Sequence, residues 1–531
     1  MCAECHSVDA DATALRDELG ADISPAELWS GTMMANSARD PFWWAMVTAE
    51  TLTIPSAAAA IEATCTRCHA PMAAVDAAKA GEPAPDLALL RQQGDGPAHA
   101  RAQLGLDGVS CALCHQIAPE GLGQESSYSG GFVVGDDMQI FAGHEQPFTM
   151  PMMMHTGYTP VAAAHTGTSA TCASCHTLVT QPMTPEGEAL PGLHTEQAPY
   201  LEWRNSVFNT ERDAPDPAAR DCQGCHMPSR SEQGVPITTR IARRPGGGDF
   251  PPVEPRAPFH RHALVGGNTL VPAILRDNRA RLNPPASDAA LEATIERARD
   301  LLANETGSVA IAAPTRDGDA LEFAVTLTNL GGHKLPTGYP SRRVWLQVTV
   351  RDGADELVFR SGGVDGEGRL VDAAGEVLAA ELAGGPVLPH AALIDVDDAP
   401  QVYEAVMLDE QGTPTFRLLR ADGYAKDNRL LPLGWSAGAP DVDRIAPVGV
   451  AGDADFTGGA DTTRYRVHAP AADGPYTIEV RALHQVISAR FAAELFAVAS
   501  APGSPIHAFQ DMYEGADRAP TLIASDARVV D

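Results

Sequence analysis

The sequence predicts an α+β chain with much irregular backbone: a cysteine-rich region of short helices and loops, then a mainly antiparallel β-sandwich-like domain. Three observations support the division. All ten cysteines lie before residue 227. A helical periodicity then fills SDAALEATIERARDLLANE, and beyond it the texture changes to short alternating segments punctuated by Gly, Asp and Pro. At 531 residues the chain exceeds one ordinary core, so two or more domains are expected. The expected boundaries are 1–275 for the cysteine-rich domain, 276–305 for a linking segment with a helix over 288–304, 306–505 for the β domain and 506–531 for an irregular tail.

The cysteines organise the first region. They form five copies of one motif: Cys2, Cys5, His6; Cys65, Cys68, His69; Cys111, Cys114, His115; Cys172, Cys175, His176; and Cys222, Cys225, His226. None is left for a disulfide. Zinc would pair such motifs to reach four ligands, so five copies leave one unmatched, and zinc does not need a histidine after each. A thioredoxin-like dithiol needs one copy beside a βαβ pattern, which is not seen. Covalent haem attachment needs a histidine directly after the second cysteine every time, because two thioethers fix the porphyrin edge and that imidazole becomes the proximal iron ligand. All five copies comply, and the chain reads as a pentahaem c-type cytochrome.

The other elements follow in order. The first motif begins one residue after Met1 and leaves no room for an export signal, whereas haem is attached to this motif outside the cytoplasm. Met1 is therefore expected to be a misplaced or expression start, with a signal peptide upstream. In SPAELWSGTMMANSARDP, Ser24 and Glu27 form a capping box with Pro25 at the first helical position, predicting a helix that carries Trp29, Met33 and Met34. APYLEWRNSVF predicts a second helix around 200–208. Irregular motif spacing and stretches such as GEPAPD and APEGLGQESSYSGG suit short elements wrapped around a stack of five haems. Ser287 is the candidate cap of the linking helix. LEFAVTLTNL, RRVWLQVTVRD, DELVFRSG, YRVHAP and YTIEVRAL are the candidate strands.

Composition narrows the partners. A formal charge of −31 excludes nucleic acid and anionic membrane surfaces, which would repel the chain. No apolar run is long enough for a transmembrane helix. DVDDAP and GDADFTGGAD are acidic enough to bind calcium, but neither follows the spacing of a regular calcium loop, so calcium is not expected there.

The runs MMANSARDP, HTGYTP, AHTGTSATCASCHTL, EWRNS ahead of CQGCHMP, and RHALVGGN resemble a family of exported multihaem cytochromes. GGHKLPTGYPSRRVWLQV and LLRADGYAKDNRLLP extend the resemblance through the β domain. It implies electron transfer in the periplasm or outside the cell, with redox partner proteins such as other cytochromes or a membrane-bound quinone-linked complex. In related cytochromes a Trp-x-x-Ser-x-His-Ala pattern delivers a distal histidine. Here Trp29–Ala35 matches it with Met34 in the ligand place, Met33 being its rival; the alternative is that both simply pack on porphyrin. A second copy from Trp203 carries Phe208 where the ligand would stand.

His155 and His165 flank the approach to the fourth motif and are candidate distal ligands. His262 is a third, with His260 as alternate, and its following glycines permit close backbone approach to a flat cofactor. His333, in a Gly- and Pro-bounded loop between two strands, is a fourth. His390, His468, His484 and His507 read as ordinary β-domain or tail residues. Arg39, Arg204, Arg261, Arg342 and Arg343 are candidate partners for haem propionates, since a partly buried carboxylate needs a cation. Five doubly ligated haems would make an electron carrier. One open haem would make an oxidoreductase acting on a small nitrogen or oxygen species, and a haem ligated by a neighbouring chain would make a conducting assembly. Ligand supply favours the carrier.

Overall fold

The computed structural model describes residues 1–231, 234–470 and 473–531. The backbone divides into two compact units: Met1–Thr51, Ala57–His176 and Arg220–Arg297 form the first, and Leu52–Ser56, Thr177–Ala219 and Ala298–Asp531 the second. All five motifs belong to the first unit. The stretch Thr177–Ala219, which sequence position groups with the motifs, clusters with the second unit instead.

The first unit consists of short helices joined by long loops. Pro25, Pro71 and Pro97 each open a helix at a position where the missing N–H costs nothing. Its apolar side chains gather in small separate groups: Leu15, Ile23, Ile237 and Phe259; Val271, Leu275 and Leu291; and Leu113, Ile117 and Phe132. The predicted helix after Ser24 is shorter than expected. It spans Pro25–Ser30, Ser24 makes no side-chain cap, and Met33 and Met34 follow it in turns. The reason is packing. A Cβ at Gly31 would stand 2.6 Å from the carbonyl oxygen of Ala290, so the chain crosses the linking helix at backbone contact and has no room to continue. The linking helix itself runs Asp288–Leu301, with Ser287 Oγ accepting from the Ala290 N–H at 3.1 Å. The helix expected around 200–208 spans Pro199–Arg204.

The second unit is built on two sheets. In chain order their strands are β1 Gly307–Ile311, β2 Thr315–Asp317, β3 Ala320–Asn329, β4 Arg343–Arg351, β5 Leu357–Ser361, β6 Leu393–Ile394, β7 Val402–Leu408, β8 Pro414–Thr415, β9 Gly423–Asp427, β10 Ala460–His468, β11 Tyr476–Gln485 and β12 Thr521–Val530. One sheet has the order β6-β10-β3-β1, with β2 also on β3; the other runs β8-β7-β4-β11-β12, with β5 on β4 and β9 on β7. Every pairing is antiparallel except β6 with β10. Alternation explains the burial: in β3 Leu321, Phe323, Val325 and Leu327 point inward, and in β4 Val344, Leu346, Val348 and Val350 do so. These residues from both sheets, with Ile478, Val480 and Tyr465, make one continuous core.

The tail is not irregular. Pro505–Glu514 is a helix capped by Ser504, and β12 pairs along the whole of β11, from Tyr476↔Val530 to His484↔Thr521. Ile506, Phe509, Met512 and Tyr513 supply the buried face of that helix.

Candidate functional site

Each of the five motifs lies on a helical turn: Ala3–His6, the end of Ala58–His69, Cys111–Cys114, the end of Ser169–His176, and Cys222–His226. Helical geometry puts positions i, i+3 and i+4 on one face, so both thiols and the imidazole of a motif face the same way. The first unit thus presents five identical three-atom faces.

Four of the five imidazoles are oriented by the same device. The Nδ1–H of His6 donates to the Ile241 carbonyl at 2.8 Å, that of His69 to Ser37 at 3.3 Å, that of His115 to Phe141 at 2.6 Å and that of His226 to Val265 at 2.5 Å. A carbonyl can only accept, so Nδ1 must carry the proton and Nε2 keeps its lone pair. Burial lowers the pKa of His6 and His115 and takes that of His69 down to about 4, which keeps these rings neutral and able to ligate. Trp43 lies parallel to the His69 ring, with centroids 4.9 Å apart, and further fixes its plane. Burial also pushes the Cys111 and Cys114 thiols up to about 12 and about 11. Such thiols are not prepared as zinc thiolates, which need a cationic surrounding.

The motifs lie close together, in an order unlike their order in sequence. The Cys68 and Cys175 thiols hydrogen-bond to one another, as do those of Cys172 and Cys222, so the fourth motif touches both the second and the fifth. His69 and His176 also lie within reach of each other's charge. Cys2 lies near Cys111 and His6 near His115, which places the first motif beside the third, while Cys114 lies near both Cys172 and Cys175. Backbone bonds hold this arrangement: Ser169 Oγ accepts from the Cys222 N–H at 3.0 Å, and the Ser174 carbonyl accepts from Gly130 at 2.7 Å. Arg67, inside the second motif, donates to the carbonyls of Gly130 and Phe132 at 2.7 and 2.8 Å.

His262 faces His115. Their ring centroids are 6.3 Å apart at 28°, and His262 Nδ1–H donates to the His260 carbonyl at 3.0 Å, leaving Nε2 free. The Met34 carbonyl accepts from the Val109 N–H at 2.9 Å, and Trp29 Nε1 donates to the Val109 carbonyl at 2.9 Å, so this segment is pinned two residues before Cys111. Gly108 makes the approach possible, since a Cβ there would stand 2.6 Å from the Met34 oxygen. Met33 packs instead on Val271 and Leu275.

The remaining candidates have other partners. His165 Nε2–H donates to the Ile117 carbonyl at 2.8 Å, and His155 Nε2 pairs with Glu4 of the first motif at 2.9 Å. His333 belongs to the second unit, where its Nδ1–H donates to the Lys334 carbonyl at 3.1 Å. Arg39 donates to the carbonyls of Asn283 and Leu106, Arg261 pairs with Asp17 at 2.9 Å, and Arg204 with Asp441 at 3.5 Å. Arg342 donates to the Thr337 carbonyl at 2.7 Å, and burial lowers its pKa. Arg343 is buried on the face of the strand that carries Trp345, away from the two-sheet core, and its guanidinium donates to Glu381 at 2.6 and 2.8 Å, Gln485 at 2.8 Å and the Gly368 carbonyl.

A buried ion network was not foreseen. Lys334 Nζ meets Asp427 at 2.6 Å, Arg429 meets Asp427 at 2.7 Å and Glu202 at 3.1 Å, and Glu202 also accepts from the Lys334 N–H at 3.1 Å. The surrounding cations hold the Asp427 carboxyl well below the usual range despite its burial. The signal was in the sequence: EWRNS, GGHKLPTG and YAKDNR, three of the long distinctive runs, each contribute a member.

No protein-family model and no curated protein matches the chain. Among solved structures it is similar to the crystal structure of a penta-heme cytochrome c552 from Thermochromatium tepidum, at 16% identity and a TM-score of 0.49, over 95% of this chain and 95% of that chain.

Proposed function

We propose that this chain is a multihaem c-type cytochrome that carries electrons outside the cytoplasm between redox partner proteins. The observation that carries the reading is the shared orientation of four of the five motif imidazoles, turned by backbone carbonyls so that Nε2 is offered for ligation. Haem bound at these faces supplies reversible one-electron iron chemistry. The chain's own residues would do the rest: the ten cysteines would hold the cofactor edges, and His6, His69, His115, His176 and His226 would fill the proximal positions. His262 would be the candidate to ligate the third motif's iron, with His260 as alternate. Met34, His155, His165 and His333 are the candidates for the others, and Arg39, Arg204, Arg261 and Arg342 for the propionates.

The test is to produce the chain behind an export signal together with a haem-attachment system, then measure its intact mass, its pyridine haemochrome spectrum and its EPR spectrum. Five covalent haems and wholly low-spin iron support a carrier. High-spin iron that binds nitrite or cyanide would make the protein an oxidoreductase, and high-spin iron that disappears on concentration would make it part of an assembly. Fewer than five haems would overturn the pentahaem reading.

A further inference from the structure

The second unit contains a cluster of charged groups that electron transfer does not use. His390, Asp453 and Asp461 bring one ligand atom each to within 4.8 Å of one another. Their side chains are 3, 5 and 1% exposed. The Asp455 carboxyl lies against that of Asp453. Asp453, Asp455 and Asp461 all come from GDADFTGGAD, the acidic run that does not match a regular calcium loop.

The tautomer of His390 decides what the cluster can hold. Gln401 is locked, because its Oε1 accepts from the Ala391 N–H at 3.0 Å; its amide nitrogen must therefore face His390 Nδ1 at 3.0 Å. Asn428 is locked as well, with Oδ1 accepting from Glu404 at 3.0 Å and Nδ2 donating to the Val402 carbonyl at 2.9 Å, and Nδ2 stands 3.1 Å from the same ring nitrogen. Two N–H donors on Nδ1 leave the ring proton on Nε2, where it is donated to Asp453 at 2.9 Å. His390 therefore has no lone pair to give to a metal.

The carboxylates must find their positive charge elsewhere. Arg464 reaches Asp455 at 2.8 Å. Asp461 receives only neutral donors: Tyr403 OH at 2.6 Å and Gln401 Nε2 at 3.2 Å, both on Oδ2. Its Oδ1 is buried and has no hydrogen-bond partner among the described residues, whereas the Asp455 and Asp453 carboxyls hydrogen-bond to one another. A buried carboxylate oxygen with no donor costs free energy that a bound cation recovers.

We propose that Asp453, Asp455 and Asp461 bind one calcium ion, with His390 as the fixed N–H donor that orients Asp453. Only oxygen ligands are on offer, which selects a hard cation; zinc would need the imidazole lone pair that the amides have taken. Flexible carboxylates suit calcium better than magnesium, which demands a near-ideal octahedron and gives up its waters reluctantly. The ion ties the 453–455 loop to the inner face of β10, where Asp461 sits.

The experiment treats the haem-loaded protein with EGTA and titrates it with Ca2+, Mg2+ or Zn2+ alone, reading bound metal per chain and the unfolding midpoint. One Ca2+ should bind and raise the midpoint by roughly 5–10 °C at saturation, with Mg2+ and Zn2+ weaker. Asp461→Asn should abolish binding while leaving the haem spectrum unchanged. Should that variant fail to fold, Asp455→Asn, whose side chain is one-third exposed, should weaken Ca2+ binding at least 10-fold. Wild-type protein that takes up less than about 0.1 Ca2+ per chain, or that prefers Zn2+ or Mg2+, overturns the proposal. So does an Asp461→Asn variant that binds like the wild type. Because metal content is read independently of haem content, failure here is distinguishable from failure of the cytochrome reading.

Discussion

The two units solve the problem of stability by different means. The second has one continuous apolar core between two sheets, fed by alternation along much of β3, β4, β10 and β11. Among the described residues the first gathers apolar side chains in small separate clusters joined by long loops, and its most regular feature is the set of five motif faces. Small separate clusters leave more of the ordering of the backbone to be offset by other contacts. The comparison teaches that the second unit folds by its hydrophobic pattern, whereas under the proposed function the first would gain stability from the haems its motifs hold.

The largest expected effect separates the two directly. A full-length chain made without haem attachment should lose hydrogen-exchange protection throughout Met1–Thr51, Ala57–His176 and Arg220–Arg297, and keep it in β3, β4 and β11. Equal protection in both units would remove the distinction. Next comes the pair Arg343–Glu381, with side chains only 2 and 1% exposed. Glu381→Ala strands a buried guanidinium and should cost about 3–5 kcal/mol in denaturant unfolding of the second unit. If Arg343 served a haem propionate instead, that variant would move a haem potential and leave the unfolding midpoint in place.

Leu346, fully buried at the centre of β4, should lose about 2–5 kcal/mol as Ala, read in the same unfolding experiment. A change under about 1 kcal/mol would mean that the shared core matters less than its continuity suggests. A smaller effect is pH-dependent. Burial, aided by Arg342, holds the pKa of His484 down at about 3. Below the ordinary value of about 6.5 the unfolded chain takes a proton that the fold refuses, so stability should fall as pH drops from about 6.5 toward 3, by up to about 1.4 kcal/mol per pH unit. His484→Gln should flatten that slope between pH 6.5 and 4.5, and an unchanged slope would assign it to other groups. Smallest of all, breaking the exposed pair His468–Asp319 should leave the midpoint unmoved.

The difference between the units also explains what could be read from the sequence. The strand-forming runs of the second unit are legible because alternation is a local property: LEFAVTLTNL is β3, and RRVWLQVTVRD contains β4. β12 escaped notice because it carries little alternation, with Ile523 its one buried residue. The helix Pro505–Glu514 did carry a signal, in Ser504, Pro505 and the spacing of Ile506, Phe509 and Tyr513. In the first unit the chemistry is legible from the motifs, but the elements are not. Helix Pro25–Ser30 stops because Gly31 meets a segment some 260 residues away, and no local pattern encodes that contact. His390 looked ordinary for a related reason: its role depends on Gln401, Asn428 and Asp453, none of which is adjacent in sequence.

The contacts of the fourth motif have one more consequence. Numbered along the chain, the five motifs suggest a wire with two ends. In space the fourth is a hub: the second and fifth meet it through Cys68–Cys175 and Cys172–Cys222, and the third approaches it through Cys114, with the first beyond. A wire loses its far end wherever it is cut. A branched circuit has one indispensable node, and under the proposed function loss of Cys172, Cys175 and His176 would isolate three limbs from one another, whereas loss of the first or fifth motif would shorten only its own.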